Sequence, residues 1–300
     1  MDFLIIHSSK DTASMNIYDK LLNSESFSFK NVDFEWNEKP VFKLEKFLID
    51  QNKNLYLDDI GIYLGLTDER LIFLDDLRLN KSIFNPDFLI FASRHTSKTA
   101  RPALLTHTTG NWSEDVEFGG KPLDLSRSSA LLHKAGFFSL IEQATIQSIE
   151  NFVIDIEVTH HGPTILEKPL IYMELGSSKT EWTNKKAGEI IASAIVNTIF
   201  KYIQFKESSQ NKIGLGFGGT HYAPNFNRLI KTKNIAMSFI CPKYFIQNLD
   251  HEMIEKMIRY TFEDINFFII DWKGTNSDDK KHLIPILEEY EIPIKKTKDF

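Results

Sequence analysis

The chain has 300 residues, of which 42% are hydrophobic and 25% are charged, and 35 basic against 41 acidic residues give it a net charge of −6. These globular values exclude intrinsic disorder, and the acidic balance excludes a generally basic nucleic-acid binder, so any nucleic-acid contact must come from a local patch. Cys241 is the one cysteine, which excludes an intrachain disulfide and a cysteine-cluster zinc site.

No apolar run approaches the ~18 residues of a membrane span, and the first residues carry no basic segment of the kind that opens a secretory signal. We therefore expect a soluble protein of a reducing cytoplasm, with no membrane partner.

The first half of the chain predicts alternating strands and helices. The predicted elements are a strand at 3–6, a helix at 11–22, strands at 88–92 and 103–106, and a long helix from 126 to about 149. Residues 23–60 are the least regular stretch, and we expect an antiparallel extension or a small insertion there.

The second half continues the alternation. Strands are predicted at 152–158, 169–175, 213–217, 234–240 and 267–270, and helices at 178–202, 251–262 and 277–289. Ser178 and Glu181 form a capping-box signature at the start of the first of these helices. Strands that alternate with helices indicate an α/β fold with a mostly parallel sheet and helices on both faces, here as a single catalytic domain over residues 1–300.

A long loop with several basic residues separates the predicted strands near residue 100. The stretch from Ser93 to Leu125 contains one short strand candidate, and loops of this length in a compact domain are usually functional or disordered. Arg94, Lys98 and Arg101 form a local positive patch in this acidic protein, which predicts phosphate contact. The alternative is an ordinary solvated loop.

Histidines gather directly after predicted strands. His95, His107, His160, His161 and His221 all stand where ligands bind in open α/β sheets, beyond the carboxyl ends of the strands. Such a cluster predicts a zinc site or general acid–base chemistry. In addition, Glu174 interrupts an apolar strand, as a metal ligand, a base or the partner of a buried cation would.

A glycine-rich segment follows the strand at 213–217. It spells G-x-G-x-x-G from Gly214 to Gly219, but Pro224 delays the following helix and no acidic residue stands about twenty positions further on. We interpret Gly218 and Gly219 as a loop that lets backbone approach a ligand, and exclude a dinucleotide fingerprint. The sequence has no Walker A motif and no G-x-S-x-G nucleophile elbow.

These segments together resemble the archaeal and plant type of D-aminoacyl-tRNA deacylase. The resemblance rests on Ser93–His95 with Arg101–Asn111, on Thr159–Thr164, on Glu174–Ser178 with Glu181–Trp182 and Gly188–Ile191, and on Gly218–Pro224. It implies hydrolysis of the ester between a D-amino acid and the tRNA 3′ end. It also implies a zinc-dependent monomer with a fold similar to peptidyl-tRNA hydrolase and nucleoside phosphorylases.

Roles follow from the resemblance and from the chemistry of the residues. His160, His161 and His221 are the expected zinc ligands, and Glu174 is the fourth ligand or the general base. His95 and His107 would orient substrate or shuttle a proton, and Arg94, Lys98 and Arg101 would meet the phosphates of the tRNA acceptor end. Backbone amides around Gly218 and Gly219 would approach the terminal ribose or the oxyanion.

Two other functions fit parts of this pattern. A zinc-dependent amidohydrolase or phosphorylase-like enzyme acting on a small molecule would share the fold and the histidines, and would suit the acidic net charge. A non-catalytic tRNA- or nucleotide-binding module would share the basic loop, but it would not need so many titratable groups.

Overall fold

The computed structural model describes residues 1–48, 53 and 57–300. Its strands are β1 (Asp2–Ser8), β2 (Phe27–Trp36), β3 (Lys39–Phe47), β4 (Gly61–Thr67), β5 (Phe88–Arg94), β6 (Ala103–His107), β7 (Gly110–Asn111), β8 (Asp124–Leu125), β9 (Val153–Ile156), β10 (Leu170–Gly176), β11 (Lys212–Phe217), β12 (Ile235–Cys241), β13 (Phe267–Ile270) and β14 (Ile294–Lys296). Its helices are α1 (Thr12–Leu22), α2 (Ala130–Ile146), α3 (Lys179–Trp182), α4 (Lys185–Ser208), α5 (Pro224–Thr232), α6 (His251–Tyr260) and α7 (Ser277–Leu287). None of the described helices is both long enough and apolar enough to cross a bilayer.

The larger sheet is mixed, with strand order β2-β3-β4-β1-β5-β10-β6-β9. The central strands β4, β1, β5 and β10 run parallel, as their continuous apolar sequences favour. Strand β6 runs antiparallel to β10 and parallel to β9. At the other edge, β2 and β3 form an antiparallel hairpin within the irregular stretch 23–60, while residues 49–52 and 54–56 of that stretch lie outside the described residues.

A second sheet contains the C-terminal strands in the order β12-β11-β13-β14, and every pair in it is parallel. The strands that were expected to share one sheet are therefore divided between two. The sequence pattern could not show this division, because alternating strands and helices look the same whether consecutive strands join one sheet or two.

Helices cover both faces of the second sheet but only one face of the larger sheet. Helices α1, α2 and α4 pack on the face of the larger sheet that carries Phe3 and Ile5. Among the described residues, the opposite face is covered by apolar side chains from non-α-helical segments, such as Leu74 and Phe84. The prediction of helices on both faces is therefore wrong for the larger sheet, because this covering segment is apolar without helical periodicity.

Helix α2 lies between the two sheets and joins them through a buried histidine. The ring of His133 is 3.0 Å from the carbonyl oxygen of Met237 in β12 (through Nδ1) and 3.3 Å from that of Thr106 in β6 (through Nε2). Burial lowers the pKa of His133 to about 4, because the two carbonyl contacts only partly offset the loss of hydration. The ring is therefore neutral at physiological pH and donates one N–H.

We expect this histidine to make the fold sensitive to acid. Between pH 6.5 and about 4 the unfolded chain binds a proton at His133 that the folded protein does not, so the free energy of unfolding falls as pH falls through this window. The contribution of this one group is ~3 kcal/mol. In urea unfolding, the free energy of unfolding should fall less between pH 7 and pH 4.5 for His133→Gln than for the wild type. An exposed-site control, His251→Gln, should leave the loss unchanged, and an equal loss in all three proteins would contradict the assignment.

Candidate active site

The carboxyl ends of several strands from both sheets open into one cavity of about 510 Å³. Strands β5 and β10 end here side by side, with Ser93 in register with Glu174. The turn after β9 brings His160 and His161 to the same place, and the turn after β11 in the second sheet adds His221. The predicted convergence of histidines at strand ends is therefore what the structure shows for these residues.

Two buried carboxylates lie at this cavity: Glu174 lines it, whereas Glu157 lies behind the lining residues His95 and His221. Glu174 accepts a hydrogen bond of 2.6 Å from the Ser93 hydroxyl, and His95 Nδ1 lies 3.3 Å from its other oxygen. Glu157 is fully buried, 2.9 Å from His221 Nε2 and 3.5 Å from His95 Nδ1. His95 therefore lies between the two carboxylates and contacts both through one nitrogen.

Glu157 was not among the residues predicted from the sequence to belong to the site. The signal was present: like Glu174, it is an acidic residue at the end of an apolar strand, and it precedes His160 by three positions. A buried carboxylate in such a strand requires a cationic or hydrogen-bonding partner, so the rule that selected Glu174 would also have selected Glu157.

Three histidine rings pack around a common point beside these carboxylates. The ring centroids of His107 and His160 are 4.1 Å apart, and that of His161 is 4.7 and 4.6 Å from them respectively. In each ring Nδ1 faces a backbone carbonyl oxygen: that of Thr108 at 3.0 Å, Val158 at 2.8 Å and Gly162 at 2.6 Å. These contacts place a proton on Nδ1, and in the neutral rings of His160 and His161 they leave Nε2 as a free lone pair, which is the tautomer that metal-binding histidines adopt. His107 differs, because Glu174 outweighs its burial and raises its pKa.

The titration of these groups follows from their burial. Burial lowers the pKa of His161 to about 3, and burial and the neighbouring histidines hold the pKa of His160 well below its usual range, so both rings are neutral. Burial alone would raise the pKa of Glu174, but the nearby His107 and His95 rings outweigh it and hold that pKa well below its usual range. For His95, burial is outweighed by Glu174 and Glu157, which raise its pKa.

Three groups of ligand atoms in the cavity are each compact enough to hold one metal ion. They are His107 with His160 and His161; Glu157 with His160 and His221; and His95 with Glu157 and Glu174, the ligand atoms of each group lying within 4.8 Å of one another. The predicted ligands His160, His161 and His221 are therefore close together but do not form one such group in the described chain. His160 belongs to two groups, and His107 joins the rings that were predicted as ligands.

Several buried polar atoms in this cluster have no hydrogen-bond partner among the described residues. They are both carboxylate oxygens of Glu157, one of which lies 2.9 Å from His221 Nε2 without the angle of a hydrogen bond, and Nε2 of His107, which is 3.7 Å from Glu174. Buried polar atoms are nearly always satisfied by protein, water or an ion. The lone pairs of the neutral His160 and His161 rings lie beside these buried carboxylates, and this donor set fits a divalent cation.

The predicted basic residues are placed differently from one another. Arg94 lines the cavity, and its guanidinium lies over the Trp182 ring, 5.2 Å from the centroid. Lys98 and Arg101 are exposed on the loop that follows and do not line the cavity. Two cations that the sequence did not single out, Lys10 and Arg70, do line it.

The glycine loop after β11 does not line the cavity. The amide of Gly218 donates to the Cys241 carbonyl at 2.8 Å, and that of Gly219 donates to the Gly274 carbonyl at 3.3 Å. Neither N–H is free to meet a ribose or an oxyanion, so the use of these amides expected from the sequence does not fit the structure. Glycine is needed here for the turn itself, since φ is +99° at Gly218 and +80° at Gly219.

We expect Gly218→Ala to act on stability. A Cβ atom at Gly218 would lie 2.1 Å from Thr275 Oγ1, whereas one at Gly219 would lie 3.2 Å from its nearest neighbour, Asp271 Oδ2. Gly218→Ala should lower the free energy of unfolding by ~1–3 kcal/mol through strain at positive φ, with a further loss from the clash. The matched variant Gly219→Ala has only a tight contact with one flexible side chain, so its free energy of unfolding in urea should fall less. An equal loss in the two variants would contradict this explanation.

Comparison with known proteins shows similarity over nearly the whole chain. Residues 83–295 match the family model described as D-aminoacyl-tRNA deacylase. The D-aminoacyl-tRNA deacylase of Pyrococcus abyssi is 36% identical over 281 residues, 93% of this chain and 93% of that protein. That of Archaeoglobus fulgidus is 33% identical over 299 residues, 98% of this chain and 96% of that protein. A solved crystal structure of a conserved protein of unknown function has a TM-score of 0.81 at 29% identity, covering 100% of this chain and 96% of that one.

Proposed function

Because the chain belongs to the D-aminoacyl-tRNA deacylase family, we propose that it hydrolyses the ester that joins a D-amino acid to the 3′ end of a tRNA. The observation that carries this proposal is the convergence of the buried Glu157 and Glu174 with the histidines at one cavity. An aminoacyl ester is intrinsically labile, so positioning and charge stabilisation are the main tasks of such a site. The small-molecule amidohydrolase or phosphorylase-like alternative has no comparable support among the relatives.

The proposal includes zinc as the resident metal. His160 would hold it, together with His107 and His161, with Glu157 and His221, or with ligands from both sets. A bound zinc ion would polarise the ester carbonyl and make water more acidic. The neutral rings of His160 and His161 and the buried oxygens of Glu157, which accept no well-aligned hydrogen bond from a described residue, support this choice, because zinc binds such donors.

His95 is the residue best placed to move a proton. Its Nδ1 faces Glu174 and Glu157, which orient the ring and stabilise its protonated form, and its Nε2 is 3.4 Å from the Tyr222 hydroxyl. A histidine held by carboxylates on one nitrogen acts as base or acid through the other. We therefore propose that His95 takes the proton from the attacking water and returns it to the leaving ribose oxygen. Glu174 is its positioning residue, and its low pKa keeps it ionised at neutral pH.

We also propose a macromolecular partner, an oligomeric state and a cellular location for this protein. The tRNA acceptor end is the macromolecular partner, and Arg94 supports it as a cation in the cavity with Lys98 and Arg101 on the adjacent loop. A monomer that works in the cytoplasm would suit a substrate of this size. Light scattering of the purified protein tests the monomer. A fold like peptidyl-tRNA hydrolase or a nucleoside phosphorylase also stays a prediction.

Removal of metal tests the zinc part of this proposal. We expect a chelator to abolish release of D-tyrosine from D-Tyr-tRNA, and zinc to restore it, with the zinc content of the protein falling and returning in parallel. The products should be free D-tyrosine and a tRNA with an intact 3′ end that can be charged again. Full activity in metal-free protein would exclude the zinc site. Hydrolysis of small amides without any tRNA turnover would favour the alternative enzyme.

A further inference from the structure

The mouth of the cavity carries large aromatic side chains that are exposed to solvent. Phe118 is 57% exposed and Tyr244 is 53% exposed, and both line the cavity. Each is held in place by local structure: the Phe118 carbonyl accepts from the Gly162 amide at 3.0 Å, and the Tyr244 ring meets Phe245 edge-on at a centroid distance of 5.0 Å. Exposed aromatic residues beside a cavity mark a binding surface more often than scattered apolar residues do.

Cations accompany these aromatic residues. Lys10, Arg70 and Arg94 line the same cavity, and none of them forms an ion pair with a described residue. Of the carboxylates that line the cavity, that of Asp11 caps helix α1 and also accepts the Arg94 amide, and the exposed Asp115 accepts the Glu117 amide at 2.9 Å. In a protein with a net charge of −6, three cations around one opening that form no ion pair with the described residues are complementary to a polyanion.

The difference in burial among the groups that line the cavity favours a single nucleic-acid strand over a duplex. Among the lining residues, His95 and Glu174 are buried, whereas the aromatic rings of Phe118 and Tyr244 and the cations Lys10 and Arg70 are exposed. A nucleic-acid duplex is too wide for a cavity of about 510 Å³, but the 3′ end of a single strand fits. Its terminal nucleotide would then lie beside the buried groups, and the preceding bases would lie beside the exposed aromatic rings. Unpaired bases are bound by stacking on aromatic rings, with phosphates paired to Lys or Arg.

We propose that Phe118 and Tyr244 stack on the unpaired bases that precede the terminal nucleoside of the tRNA, and that Lys10 and Arg70 contact their phosphates. This assignment rests on the proposed function and names the part of the substrate that the cavity mouth recognises. It also accounts for the position of Lys98 and Arg101 outside the cavity, where they can reach only nucleotides further from the ester.

Two substrates separate stacking from chemistry. D-Tyr-tRNA carries the preceding bases, and the D-tyrosyl ester of adenosine does not. We expect Phe118→Ala and Tyr244→Ala each to raise KM for D-Tyr-tRNA by ~5- to 150-fold, with kcat and hydrolysis of the adenosine ester unchanged. Phe262→Ala is the matched control, because Phe262 is 56% exposed but does not line this cavity. An unchanged KM in both variants, or an equal loss on the two substrates, would overturn the proposal.

A binding measurement tests the same assignment without turnover. The wild type should bind uncharged tRNA more tightly than the same tRNA trimmed of its unpaired 3′ nucleotides, and Tyr244→Ala should remove this preference. Arg70→Gln should reduce the slope of log affinity against log salt by about one. A wild type that shows the preference but does not release D-tyrosine would refute the proposed function and keep the stacking site. No preference in the wild type would refute the stacking site.

Discussion

Replacing Glu174 by glutamine is expected to lower kcat for D-Tyr-tRNA by ~10²–10⁴-fold while the protein stays folded. Glutamine keeps the shape and can still bond to the Ser93 hydroxyl, but it removes the negative charge that faces His95 and His107. Without that charge the pKa of His95 should fall, because Glu157 alone would then offset the effect of burial. The loss should therefore appear in kcat, together with a shift of the pH–rate profile.

Glu181→Gln is the matched control for this prediction. Glu181 is also buried and lies seven positions along the chain, but its carboxylate caps helix α3 by accepting the Ser178 amide at 2.9 Å. Glutamine is an accepted residue at this position of a capping box, so kcat should stay near the wild-type value. If Glu181→Gln lost as much activity as Glu174→Gln, the effect would be structural and the assigned role of Glu174 would be wrong.

The second large effect is expected from His160→Ala. His160 is the ring shared by two of the three ligand groups, so its removal leaves each with two donors. Loss of an outer-shell partner typically costs a metal site 10–100-fold, and loss of a direct ligand should cost more. We expect the purified variant to contain little zinc and to lose more than ~10²-fold in activity.

His251→Ala is the control for the metal prediction. His251 is half-exposed at the start of helix α6 and lies 3.5 Å from Glu289, away from the cavity. Its variant should keep both zinc and activity. A His160→Ala protein with the full zinc content and full activity would exclude the shared ligand.

Much of the fold could be predicted because most of its elements have strong periodicity. Strand β13 has the bounds expected from the sequence, and α1, α6 and α7 differ by a residue or two at their ends. The helix predicted from 178 to 202 is interrupted after Trp182, where Asn184 caps a new helix by accepting the Ala187 amide. Helix α5 was missed because it is short, and Pro224 occupies its first turn, a position that proline favours.

What the sequence could not provide was long-range arrangement. The division into two sheets, and the lack of α-helices on one face of the larger sheet in the described chain, depend on which strands pair. Strand pairing leaves little trace in local periodicity. The same limit applies to the site. His95, His160, His161 and His221 follow strands and line the cavity, but His107 does not line it, and its grouping with His160 depends on the antiparallel pairing of β6 with β10.

We expect this site to hydrolyse D-aminoacyl esters of tRNA and to leave the corresponding L-aminoacyl esters intact. The most direct test is the release of tyrosine from matched D-Tyr-tRNA and L-Tyr-tRNA by the purified protein under identical conditions. Rapid release from the D-ester with the L-ester left intact is the predicted result. Equal release from the two esters, or release from neither, would contradict the claim.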